Sequence, residues 1–346
     1  MKRIGFLFVF ALLALTVVIV GWRFASKRKI VTTPVTNASP TTTVSVALDW
    51  TPNTNHTGIY VAIAKGWYKE QGIDLRILPY SSTVTPDILV SSGKADFGIS
   101  STESVVANRA LGQDVISVAA IIQHNTSSLA VLEGSDITSP KALDGKIYGG
   151  FGSPSEEAVV NAIIKKDGGA GTVKNIVLET GAMEALKAKR VDAVWIYDGW
   201  EGIQAKRDGV HLRTFPIIKF GIDDYYTPVI IASPTSIAAK NQLYKKFMTA
   251  TRKGYEYATS HPNESAALLI ANAPKGTFPD TGLVVESQEY LSPRYTDQGK
   301  PWGVQESASW QGYPEFLLTS KAILDSKGKP VTTIDFNSLY TNELLQ

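Results

Sequence analysis

Short apolar runs alternate with helix-forming segments from Val44 to Gln123, and this alternation constrains the fold more than any other property of the chain. Val44-Ser45-Val46-Ala47-Leu48 has the two-residue period of a strand, and Tyr60 to Lys65 opens as a helix. Gly66 to Gly72 reads as the end of that helix with a glycine stop, and Gly72 to Leu78 as a second strand. Thr85 to Ser92 is a helix closed by Gly93, and Lys94 to Ser100 holds a third strand. Thr102 to Leu111 is a helix with Gly112 past its end, and Val115 to Gln123 is a buried strand. A β-α-β-α-β order with short connections predicts a mainly parallel sheet with helices on both faces.

The pattern restarts around His124. Strands are expected at Leu129 to Leu132, Lys146 to Gly150, Asn175 to Leu178 and Val191 to Ile196. Ser139 to Gly145 reads as a short capped turn of helix, and Ala182 to Lys189 as a short helix. Between the second and third of these strands, Ser153 stands as an N-cap, Pro154 takes the first helical position and Glu156 completes a capping box. Near Tyr225 to Ile231 the chain returns to its first unit, and from Pro234 it is helical. Lys240 to Ser260, Pro262 to Ile270, Thr281 to Leu291 and Glu306 to Leu318 are the expected segments. The expected fold is α/β and bilobal, with lobe 1 at 44–127 plus 227–346, lobe 2 at 128–226, and two hinge crossings. A cleft between two lobes is a preferred ligand site.

No glycine-rich fingerprint follows a strand, and Walker A and G-x-S-x-G sequences are absent. There is no cysteine, which excludes disulfides, thiolate metal sites, a cysteine nucleophile and a lipidated N-terminal cysteine. The 4 histidines are not paired at metal-ligand spacing, so no metal and no cofactor is expected. A net charge of +2 with no basic stripe argues against a nucleic-acid partner. The N-terminus is of another kind. Lys2 and Arg3 precede an uncharged run from Ile4 to Trp22, which as a helix would span about 27 Å, near the hydrocarbon thickness of a bilayer. It is longer than a typical signal-peptide core and lacks an A-x-A-like cleavage site, so residues 1–30 read as an uncleaved signal anchor, a single transmembrane helix with basic flanks, in preference to a cleaved signal peptide or a buried core helix. Residues 31–43, rich in Thr and Pro, read as a solvated tether. Arg23, Lys27, Arg28 and Lys29 outnumber the two preceding charges, so the positive-inside count opposes an outward-facing domain.

The stretch after the first strand, Leu48 to Tyr60, packs an acid, an indole, two asparagines and a histidine into a strand-to-helix turn. Such turns form ligand sites at the carboxyl ends of α/β sheets; its ordinary alternative is a loop with an Asx turn.

Eight stretches carry a resemblance: LDWTPNTNHTGIYVA (48–62), KGWYKEQGIDL (65–75), GKADFGIS (93–100), VAAIIQHNTS (118–127), GSPSEEAV (152–159), VWIYDGWEGI (194–203), DYYTPV (224–229) and KGYEYATSHPNESA (253–266). Together they resemble the thiamine pyrimidine-precursor binding proteins of ABC importers, within the wider pyrimidine-precursor, nitrate and sulfonate binding-protein superfamily. The resemblance implies a periplasmic-binding-protein fold of type II topology, a ligand held between the lobes, delivery to permease subunits, an extracytoplasmic domain and a monomer. Its topology is what sets aside the positive-inside count. The superfamily also holds a pyrimidine synthase that resembles these receptors in fold but carries a cysteine-rich motif and a histidine shortly after the third strand. Here cysteine is absent and the corresponding residues read Ser100-Ser101-Thr102-Glu103-Ser104. The enzyme is therefore the alternative, as is a receptor for riboflavin or another flat heterocycle. A third, adhesin-like reading has only the tether behind it.

For an aminopyrimidine ligand, each candidate residue has a role and an ordinary alternative. Trp50, Tyr197 and Trp200 offer stacking planes or pack in the core. Asn53 offers a donor and an acceptor to a ring edge, or caps the turn. His56 lines the cleft or bonds the backbone. Asp49 and Glu201 accept from the amino group, with Asp198 in reserve for Glu201, or serve as caps. Gly152, Ser153, Ser155 and Glu156 open a helix whose free N–H groups suit a polar ligand arm, or simply form the capping box. Tyr226 closes the cleft or packs the hinge. No arginine or lysine clamp suggests a sulfonate or nitrate ligand.

Overall fold

The computed structural model describes residues 41–178 and 180–346; the expected membrane helix at 1–30 and most of the tether lie outside them. Two five-stranded sheets organise the described residues. The first contains β1 (Thr42–Ala47), β2 (Ile73–Leu78), β3 (Phe97–Ser100), β4 (Ile116–Ala120) and β10 (Val229–Ala232), in the order β2-β1-β3-β10-β4. The second contains β5 (Ser127–Leu132), β6 (Ile147–Gly150), β7 (Lys174–Val177), β8 (Ala193–Tyr197) and β9 (Leu212–Pro216), in the order β7-β6-β8-β5-β9.

The first sheet is less uniformly parallel than the alternation predicts. β1 pairs in parallel with β2 and β3, but β10 inserts antiparallel between β3 and β4. All four residues of β10 are buried, as befits a strand in mid-sheet with both faces covered. β9 was not expected from the sequence. Its partly exposed run Leu-Arg-Thr-Phe-Pro lies at the edge of the second sheet, and edge strands carry weak apolar signals.

Most helices fall where the periodicity puts them, including Thr281–Leu291 and Pro154–Lys166. The expected helical turn at 139–145 is a 3-10 segment, Pro140–Leu143. The long helix Pro234–Ser260 supports the turn that follows β1. Its Gly254 faces Gly58 of the helix Thr57–Ala64, where any Cβ would overlap the Gly58 carbonyl. That closeness lets Tyr255 donate its hydroxyl to the Asn55 carbonyl at 2.7 Å while its ring stacks on Trp302 with centroids 4.3 Å apart. The two chain crossings between the sheets are tied together. His124 in the first bridges Asp224 in the second and Asp297, at 2.5 and 2.9 Å, and the Asn125 N–H donates to Asp224 at 2.8 Å.

Candidate functional site

The turn after β1 is built by mutual capping. Asn53 Oδ1 accepts from the Asn55 N–H at 2.9 Å, and the Asn53 N–H donates to His56 Nδ1 at 3.1 Å. With Nδ1 accepting, the proton of neutral His56 sits on Nε2, which donates to Asp49 Oδ1 at 2.9 Å. His56 is fully buried and does not line the cavity. It is a positioning residue that fixes Asp49 and Asn53, both of which do line it.

That cavity, of about 350 Å³, lies where the ends of β1 and β3 in one sheet meet the end of β8 in the other. Its volume is in the range of small-ligand sites. Its walls carry Trp50, Phe151, Tyr197 and Trp200. Trp50, Phe151 and Tyr197 are 36%, 60% and 40% exposed, against near-complete burial of most aromatic rings in the core. Trp50 leans on Tyr80 with centroids 4.7 Å apart. Burial pushes the ionisation of the Tyr197 hydroxyl far up, with the charges of Glu103, Glu201 and Asp49 adding to the rise.

Four carboxylates line the same cavity: Asp49, Asp87, Glu103 and Glu201. No lysine, arginine or histidine is among the described residues lining it. Glu201 stands in a π-helical turn, Asp198–Gly202, and its Oε2 accepts from the Tyr197 N–H at 3.0 Å. Burial raises its carboxyl above the usual range, opposed by backbone hydrogen bonds, with the charge of Asp198 adding to the rise. Asp87 is pushed up to about 6 by burial, against a 2.8 Å hydrogen bond from Ser100. Desolvated like charges disfavour ionisation, and clusters of shifted groups in a cleft mark functional sites.

The structure brings Asp49, Trp50, Asn53, Tyr197, Trp200 and Glu201 to this cavity. Ser153, Ser155 and Glu156 instead line an adjoining space of about 80 Å³, which shares Glu103, Phe151 and Tyr197 with it. The remaining expected residues are elsewhere. Gly152 donates its N–H to Glu156 at 2.9 Å, so that group is not free for a ligand arm. Asp198 turns to the Ser128 hydroxyl at 3.1 Å. Tyr226 is buried near Trp310, its hydroxyl accepting from the Glu306 N–H at 2.9 Å, so it packs the crossing.

Only part of the expected capping box forms. Ser153 accepts from the Glu156 N–H at 3.1 Å, but the Glu156 carboxylate reaches past the cap to the N–H groups of Phe151 and Gly152 and to the Tyr148 hydroxyl. Ser153→Ala is expected to cost about 1 kcal/mol, the usual value of a helix N-cap, as read from the urea midpoint.

Several lining residues escaped the sequence reading. Glu103 lies in the run Ser100-Ser101-Thr102-Glu103-Ser104, where an acid in a first helical turn carries no ligand signal of its own. Phe151 had a usable signal, a large aromatic beside a glycine at the mouth of a helix. Asp87 had none, because an acid in a first helical turn reads as a partner of the helix dipole.

Residues 53–265 match the family described as NMT1/THI5 like, and the chain belongs to that family. It is 29% identical over 274 residues to the formylaminopyrimidine-binding protein of Halalkalibacterium halodurans, covering 78% of this chain and 82% of that one. It is 27% identical over 243 residues to a 4-amino-5-hydroxymethyl-2-methylpyrimidine phosphate synthase of Candida albicans, covering 66% and 70%. The crystal structure of the periplasmic aliphatic sulphonate binding protein SsuA from Escherichia coli superposes with a TM-score of 0.65 at 15% identity, covering 89% and 100%. The two-lobed α/β fold is that of periplasmic binding proteins.

Proposed function

We propose that this protein is the extracytoplasmic solute-binding receptor of an ABC importer, taking a thiamine-related aminopyrimidine between its lobes and delivering it to a permease. The observation that carries this reading is the cavity wall: exposed aromatic rings with four carboxylates and, among the described residues, no cation. A flat ring with an exocyclic amino donor suits it. A sulfonate or nitrate, which needs positive partners, does not, although the fold is shared with a sulphonate receptor. The name of the Halalkalibacterium relative points to the same ligand class. Asp49 and Glu201 accept from the amino group, Asn53 reads the ring edge, and Trp50, Tyr197 and Trp200 supply the planes. The lobes, 44–127 plus 227–346 and 128–226 in the type II topology, close on the ligand, and the permease reads the closed population. Residues 1–30 anchor the receptor as a single-pass helix with the tether at 31–43.

The synthase relative favours a second reading, an enzyme of pyrimidine synthesis. The sequence supplies no cysteine for it, and the proposed activity is reversible binding of an unaltered ligand. A thermal-shift panel of hydroxymethyl-aminopyrimidine, formylaminopyrimidine, thiamine and riboflavin tests both. At a hundred times its dissociation constant a pyrimidine is expected to add about 2.7 kcal/mol of stability. A response to riboflavin alone would move the ligand to another flat heterocycle. Recovery of chemically changed pyrimidine after incubation would sink the receptor reading.

A further inference from the structure

Glu103 stands in the first turn of the helix Thr102–Ala110, which follows β3 directly, and it lines both the main cavity and the small space beside it. Its Oε2 is sealed from solvent and has no hydrogen-bond partner among the described residues. Among the described residues that line the two spaces there is no lysine, arginine or histidine to give a counter-charge. Asp87 and Glu156 press negative charge on it from two other helices, and Tyr197, Tyr225 and Tyr313 face it with desolvated phenols. Burial raises its carboxyl above the usual range, and the charges of Asp87 and Glu156 add to the rise. An ionised carboxylate so placed is costly, whereas a protonated one is a donor without an acceptor.

We propose that Glu103 is a specificity-determining residue of the cleft, meeting a ring nitrogen of the bound heterocycle through one shared proton. The proposal rests on the aminopyrimidine reading above. A ring nitrogen is an acceptor, so ionised Glu103 would oppose lone pair to lone pair. Protonated Glu103 donates O–H to the nitrogen; if the proton crosses, the ring N–H donates to the carboxylate. In either form the complex holds one proton between the two groups, and no bond to carbon changes. Glu103 belongs to the first sheet's side and Glu201 to the second's. The pair therefore asks for an acceptor on one edge of the ligand and a donor on another, which a 4-aminopyrimidine has and an aniline of the same shape lacks.

The test is calorimetric binding of 4-amino-5-hydroxymethyl-2-methylpyrimidine between pH 5.5 and 9 to the wild type, Glu103→Gln and Glu103→Leu, with urea unfolding to check each fold. In the wild type the dissociation constant is expected to rise by about tenfold per pH unit once free Glu103 ionises. In Glu103→Gln the amide N–H donates without titrating, so that rise disappears. Glu103→Leu should bind about 10- to 150-fold more weakly at pH 6, the loss of one hydrogen bond to a polar ring. Titration of the ligand itself and of Asp87 is common to all three proteins. Equal pH slopes in the wild type and Glu103→Gln, or wild-type affinity in Glu103→Leu, would overturn the role of Glu103 alone. Failure of the wild type to bind any pyrimidine would overturn the functional reading and this inference with it.

Discussion

Trp50→Ala is expected to weaken pyrimidine binding by about 2–4 kcal/mol, roughly 30- to 1,000-fold in dissociation constant, the range of an aromatic hot spot. Trp50 stands at the carboxyl end of β1 on the cavity wall, with over a third of its surface open and Tyr80 behind it. A ring held this way brings little conformational entropy cost on binding and covers one ligand face. Because so much of it is exposed, truncation leaves no sealed core cavity, so the urea midpoint should barely move. Trp50→Phe should recover part of the affinity by restoring a π-face. Calorimetry on the three proteins decides it; a loss under threefold in Trp50→Ala would show that the ligand stacks elsewhere, with Phe151 the next surface to test.

The second large effect is on stability. Asp87 is buried, and its carboxyl titrates near 6 in the folded protein against about 3.9 in an unfolded chain. Between these values the folded state binds more protons than the unfolded state, so stability falls as pH rises from about 4 to 6. Above that window the ionised side chain costs about 3 kcal/mol. Asp87→Asn keeps an acceptor for the Ser100 hydroxyl and removes the charge. It should therefore be more stable than the wild type by up to about 3 kcal/mol at pH 7, and nearly equal to it at pH 3.5. Urea titrations at the two pH values measure the difference; a gap of the same size at both would mean that packing rather than charge sets it. A destabilising acid kept in a cleft wall fits a site selected for binding over stability.

Local features of the chain were legible because each is set by a few neighbouring residues. Ser153 caps its helix as the Ser-Pro-Ser-Glu spacing predicts. The polar turn after β1 was found by its composition, and Trp50 and Asn53 do reach the cavity. What failed to show depends on partners far along the chain. Nothing in Val229-Ile230-Ile231-Ala232 says that it pairs antiparallel with both β3 and β4. His56 looks like a ligand in sequence, but its two nitrogens are occupied by Asp49 and the Asn53 N–H. Glu156 was expected to bond its own N-cap, yet the left-handed backbone at Gly152 brings two earlier N–H groups within its reach. Glu103 and Asp87 matter because tertiary burial removes their water, and desolvation has no local sequence pattern.

The place of β10 also governs how the protein can be made. Its partners β3 and β4 are synthesised more than a hundred residues before it, and they do not pair with each other. Until residue 232 has emerged, a growing chain carries two unpaired strand edges, the kind of surface that recruits stray strands. Such non-local pairing is slow, because a long loop must close before it is rewarded. Cutting the chain after the fourth strand would therefore not release an independent domain but a sheet with a gap in its middle. The last strand to arrive is the one that joins the first sheet into a single surface.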